Sequence, residues 1–88
     1  MTSNIKIIIA DDHPLFRQAL ALTLRSNFSQ STLIEAETIA ELEQTLLSAS
    51  DVDLILLDLD IPGAQGFNTL ITIRQLYPEI AVVIISGF

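Results

Sequence analysis

Four short stretches of nearly unbroken aliphatic residues punctuate the chain, and the segments between them carry apolar residues at helical spacing. The first stretch, Ile5-Lys6-Ile7-Ile8-Ile9-Ala10, is β-branched and almost continuously hydrophobic, which predicts a strand covered on both faces, as in a parallel sheet. Asp11-Asp12-His13-Pro14 ends it. Pro14 fits the first turn of a helix, where its missing N–H is not needed. From Leu15 to about Asn27, Leu15, Ala19 and Leu22 recur at helical spacing, and so do Phe16, Leu20 and Leu24. Phe28 to Ser31 reads as a loop, and Thr32 to Ala36 as a short strand.

Thr38-Ile39-Ala40-Glu41 is a capping box, threonine at the N-cap and glutamate three residues on. Ile39, Leu42, Leu46 and Ala49 give the helix behind it an apolar stripe. Asp51-Val52-Asp53 predicts a turn. Leu54-Ile55-Leu56-Leu57 predicts a buried strand that ends at Asp58. Leu59 to Gln65 is a loop carrying Pro62 and Gly63. Gly66 to Tyr77 is helical in pattern, with Phe67, Leu70, Ile71 and Ile73 apolar, and Pro78 stops it. Ala81 to Ile85 is a further apolar strand. The order βαβαβαβ predicts a parallel sheet with helices on its faces.

Composition narrows the function. With 88 residues there is room for one domain, and no repeat, low-complexity stretch or linker divides it. No apolar run approaches the ~18–20 residues of a membrane helix, and Met1-Thr2-Ser3-Asn4 lacks the basic start of a signal peptide. Cysteine is absent, so no disulfide framework exists. A soluble, cytoplasmic protein is the expectation. Net charge is −7, and the four basic residues, Lys6, Arg17, Arg25 and Arg74, are scattered. That excludes the basic stripe a nucleic-acid interface needs.

The aspartates carry the chemistry. Parallel α/β sheets bind ligands beyond the carboxyl ends of their strands. The first strand here ends at Asp11-Asp12, the third at Asp58 and the fourth at Ser86. If the first and third strands are neighbours, three carboxylates converge. Carboxylates that close need a cation to stay ionised together. A hard divalent ion suits oxygen ligands, and Mg2+ suits them best where phosphate is the other ligand. An ionised carboxylate beside Mg2+ can attack phosphorus to give an acyl phosphate. The plainer alternatives are that Asp11 and Asp12 only cap a helix, that Asp58 and Ser86 are turn residues, and that His13 points along the helix start with a structural role. Gly66 is read as allowing close backbone approach.

Three stretches then carry a resemblance: Ile8-Ile9-Ala10-Asp11-Asp12-His13-Pro14-Leu15-Phe16-Arg17, Leu56-Leu57-Asp58-Leu59-Asp60-Ile61-Pro62-Gly63 with Gly66 behind it, and Val82-Val83-Ile84-Ile85-Ser86-Gly87. In this order and spacing they resemble a response-regulator receiver domain of two-component signalling. The resemblance is greatest to the subfamily with a LuxR-type DNA-binding output. It implies a flavodoxin-like doubly wound sheet of strand order 2-1-3-4, which makes the first and third strands neighbours. It implies Asp58 as phosphoacceptor, and Mg2+ held by Asp11, Asp12, Asp58 and the backbone carbonyl of Asp60. Ser86 matches the hydroxyl that senses the phosphoryl group, and Pro62, Gly63 and Gly66 shape the loop. The implied donor is a sensor histidine kinase, and the implied output is transcriptional control.

A full receiver has a fifth strand ending in a lysine, and two further helices. The sequence ends at Phe88, so residues 1–88 are expected to form a partial receiver domain without that lysine. Ala81 to Ile85 would then be an exposed sheet edge, and a homo-oligomer through the uncovered sheet or helix surface is expected. Two other functions fit parts of the pattern. One is a receiver-like interaction module that takes no phosphate. The other is a haloacid-dehalogenase-like phosphatase, whose Asp-x-Asp nucleophile motif resembles Asp58-Leu59-Asp60; that family needs a much longer chain and leaves Asp11-Asp12 unexplained.

Overall fold

The alternation of aliphatic runs and amphipathic segments becomes a four-stranded parallel sheet with three helices in the computed structural model, which describes residues 4–49 and 51–86. The elements are β1 (Ile5–Ala10), α1 (Pro14–Asn27), β2 (Ser31–Ala36), α2 (Ile39–Ser48), β3 (Leu54–Asp58), α3 (Phe67–Leu76) and β4 (Ala81–Ser86). The strand order is β2-β1-β3-β4, as the resemblance implies, and every pairing is parallel. Ala10 pairs with Leu57, so β1 and β3 reach the carboxyl edge side by side and deliver Asp11 and Asp58 together.

The first crossover steps from β1 outward to β2, and the later ones step the other way. Right-handed crossovers then put α1 on one face and α2 and α3 on the other. Side chains alternate along each strand accordingly. Ile7, Ile9 and Leu56 pack with Ala21, Leu20 and Leu24 of α1. Ile8, Ala10, Ile55 and Leu57 pack with Leu42, Leu46 and Ile73 of α2 and α3. Burying each such aliphatic side chain contributes about 1.5–3 kcal/mol, and Ile8, Ile9, Ile55 and Leu57 are fully buried.

Local signals end the elements much as the sequence suggests. Thr38 caps α2 by accepting the N–H of Glu41 at 3.1 Å. Glu41 returns a bond not to the cap residue but to the N–H of Glu37, one position earlier, at 2.6 Å. In α1 the two apolar stripes compete for one sheet. Arg17, Leu20, Ala21 and Leu24 face inward, while Leu15 and Leu22 stay 81% and 67% exposed. The stripe expected from Leu15, Ala19 and Leu22 is therefore the outer one. In α3 only Ile73 is buried, with Leu70 and Tyr77 half-buried; Phe67 and Ile71 face outward.

The glycine roles are also redistributed. Gly66 adopts φ 59° as the N-cap of α3, and a Cβ there would meet nothing within 4 Å. It supplies a conformation rather than the close approach expected of it. The close approach belongs to Gly63, at φ 92°, where a Cβ would lie 3.1 Å from Cβ of Ile39. Beside it, the carbonyl of Pro62 accepts the N–H of Ile39 at 2.9 Å, tying the β3–α3 loop to the start of α2.

Candidate functional site

Asp58 is the last residue of β3 and is fully buried. Its position follows from the aliphatic run before it, which locks the strand between β1 and β4. The pairing with β4 slips one residue here: Leu57 faces Ile84, but Asp58 faces Ser86. Such irregularities re-aim a strand end. Ser86 thus has its backbone beside Asp58, and its side chain lies outside the described residues.

Asp11 follows β1 and is also fully buried. Its N–H bonds the carbonyl of Ala36 at 3.0 Å, extending the β1–β2 ladder by one residue. Arg17, one turn into α1, donates from Nη1 to the Asp11 carbonyl at 2.8 Å and from Nε to Glu35 on β2. The Arg17 guanidinium, raised further by its bond to Glu35, pins the β1–α1 loop against the sheet. Asp12 sits beside these at the rim, its side chain 35% exposed.

His13 is the N-cap of α1, and its own side chain makes no capping bond. Oδ1 of Asp11 instead accepts the His13 backbone N–H at 2.9 Å, an Asx-type turn. That turn folds the imidazole back over the carboxylates, contrary to the expectation that it points along the helix. Nδ1 stands 2.7 Å from Asp11 Oδ1, 3.3 Å from Asp12 Oδ1 and 3.6 Å from Asp58 Oδ2. The hydrogen bond to Asp11 and then its charge raise the imidazole above its ordinary 6.5. Sequence reasoning missed this contact, although an aspartate two residues before an N–H at a helix start is the available signal.

Burial pushes the Asp58 carboxyl upward, opposed by the Asp60 N–H bond and reinforced by the nearby Asp11 charge. The Asp60 N–H donates to Asp58 Oδ1 at 2.9 Å, and the Asp60 side chain is exposed. The remaining oxygens are telling. Asp11 Oδ2 and Asp58 Oδ2 are buried and have no hydrogen-bond partner. One ligand atom from each of Asp11, Asp12, His13 and Asp58 lies within 4.8 Å of the others. Orphaned carboxylate oxygens at this spacing fit a hard divalent cation. The acidic cluster therefore suits a Mg2+ site.

The response regulator receiver domain family profile matches residues 7–88. The chain belongs to that family. Receiver domains take phosphoryl groups from histidine kinases and are not turnover enzymes, so the phosphatase reading of Asp58-Leu59-Asp60 falls away. The receiver is similar to the glycerol metabolism activator of Pseudomonas putida, with 43% identity over 93% of this chain and 37% of that protein. It is 30% identical to the fimbriae Z protein of Escherichia coli K12 over 92% of this chain and 38% of that one. The chain thus spans a little over a third of the length of these curated relatives. Among solved structures it resembles the MaeR response regulator bound to beryllium trifluoride, with TM-score 0.85 and 26% identity over 96% of this chain and 68% of that one. It also resembles promoter-bound RcsB from Salmonella enterica serovar Typhimurium, with TM-score 0.82 and 25% identity over 92% of this chain and 41% of that one.

Proposed function

We propose that this receiver accepts a phosphoryl group on Asp58 from a sensor histidine kinase in a Mg2+-dependent reaction. The observation that carries the reading is the asymmetry of Asp58: Oδ1 is held by the Asp60 N–H, while Oδ2 is buried, unpartnered and turned toward the acidic cluster. Oδ2 is the nucleophile. It attacks phosphorus, the P–N bond to the donor imidazole breaks, and the bonding pair stays on that nitrogen.

Asp11, Asp12, Asp58 and the backbone carbonyl of Asp60 would hold the Mg2+. A Mg2+ ion held there would supply positive charge toward the phosphoryl oxygens. Ser86 provides the hydroxyl that bonds the phosphoryl group. Pro62, Gly63 and Gly66 shape the loop behind Asp60.

The relatives include a metabolism activator and a probable transcriptional regulatory protein, which supports transcriptional control as the output of the protein to which this receiver belongs. Such a pathway operates in the cytoplasm, and no helix among the described residues is long and apolar enough to cross a membrane. Incubation with acetyl phosphate and Mg2+, followed by intact mass spectrometry, tests the reading. One phosphoryl increment is expected, lost in Asp58→Asn. Absence of any increment in folded protein would favour a receiver that works through protein contact without phosphate.

A further inference from the structure

The imidazole of His13 is the one nitrogen donor in a ring of carboxylates, and its spacing is that of a ligand. Atoms held about 2.0–2.2 Å from one ion stand roughly 3.0 Å apart in an octahedron and roughly 3.4 Å in a tetrahedron. Nδ1 lies 2.7, 3.3 and 3.6 Å from oxygens of Asp11, Asp12 and Asp58. The backbone holds it there, because Asp11 Oδ1 accepts the His13 N–H and Pro14 fixes the chain beyond. Asp11 Oδ2, buried and without a hydrogen-bond partner, adds to a donor set that is not all oxygen.

Donor type sets metal preference. Mg2+ takes oxygen ligands and water, whereas imidazole suits first-row transition ions. We propose that His13 Nδ1 is a metal ligand of this site, and that it gives the receiver a preference for borderline divalent ions such as Co2+ or Ni2+ over Mg2+. The inference rests on the metal site of the proposed function but not on phosphoryl transfer. Mg2+ would be held by the carboxylates and the Asp60 carbonyl, while a transition ion would gain one further bond from the imidazole.

The test is metal binding to the 88-residue chain, wild type and His13→Ala. Any oxygen site binds Co2+ more tightly than Mg2+ to some degree, so the informative quantity is the change in that ratio. The expected result is a Co2+ affinity at least roughly tenfold weaker in His13→Ala, the scale on which the surroundings of a metal matter, with Mg2+ affinity held or improved. Pulsed electron paramagnetic resonance on the Cu2+-loaded protein should show coupling to an imidazole nitrogen, absent in His13→Ala. An unchanged ratio together with no nitrogen coupling would overturn the proposal and leave His13 as a hydrogen-bond partner of Asp11. If neither protein binds any divalent ion, it is the metal site of the proposed function that fails. If both bind Mg2+ alike and Asp58 is labelled, the phosphoacceptor reading stands without this one.

Discussion

The backbone N–H of Asp60 donates to Oδ1 of Asp58 at 2.9 Å, so the two oxygens of one buried carboxylate have unequal surroundings: one is anchored and the other has no hydrogen-bond partner. The strand end therefore carries a charge that the metal-free fold tolerates rather than satisfies. Burial raising this carboxyl is the electrostatic form of the same statement.

Substituting Asp58→Asn should then stabilise the metal-free protein while abolishing acceptor function. Neutral asparagine keeps the shape and removes a poorly solvated charge beside Asp11. A gain of about 1 kcal/mol is expected, roughly 4–8 °C in Tm for a domain of this size. Thermal unfolding followed by circular dichroism in chelator checks it. A fall in Tm would mean that the ionised carboxylate is net stabilising in the metal-free fold.

The pH dependence should reverse with metal. In the metal-free protein both His13 and Asp58 hold protons more tightly than in the unfolded chain. For His13 the associated stability is complete below its ordinary 6.5 and is lost as pH rises through its higher folded value. Tm in chelator should therefore decline on moving upward from about pH 6.5. Metal and protons compete for the same atoms, so stabilisation by added Mg2+ should grow over the same range. At a hundredfold excess over Kd it should reach about 2.7 kcal/mol. Tm scans at matched ionic strength with and without Mg2+ give both slopes.

Arg17 should matter for the site without a hydrogen bond to any of its carboxylates. Its guanidinium spans the Asp11 carbonyl and Glu35, so Arg17→Ala frees the loop that carries Asp11 and Asp12. A loss of about 1.5–3 kcal/mol is expected from the bonds to a charged donor, with weaker Mg2+ binding. Arg17→Lys should not restore it, because an ammonium lacks the fork that reaches two acceptors. Equal Mg2+ affinity in Arg17→Ala would separate the loop from the site.

Gly63 and Gly66 offer a paired test of the loop. Gly66→Ala meets no atoms but must hold φ 59°, so it should lose about 1–3 kcal/mol through backbone strain alone. Gly63→Ala adds a 3.1 Å approach to Ile39 on top of φ 92° and should lose more. Urea titration of the two variants ranks them. The reverse order would mean that α2 yields easily at Ile39.

Much of this was legible in the sequence. Strand ends were set by aliphatic runs meeting Asp11 and Asp58, and parallel pairing follows from strands apolar on both faces. What was not legible depended on competition. α1 carries two apolar stripes, and only the sheet's position chooses Leu20, Ala21 and Leu24 over Leu15 and Leu22. His13 was misjudged because its direction is set by an Asx-type turn from Asp11, a contact between neighbours that hydrophobic periodicity does not encode. The glycine roles depended likewise on where Ile39 lands across the loop.

Locating the acyl phosphate tests the central claim most directly. After reaction with acetyl phosphate and Mg2+, borohydride reduction converts a phosphorylated aspartate to homoserine, which peptide mass spectrometry assigns to a position. The account expects reduction at position 58, dependent on Mg2+ and absent in chelator. Reduction at Asp11, Asp12 or Asp60 instead, or at no position in the folded protein, would contradict it.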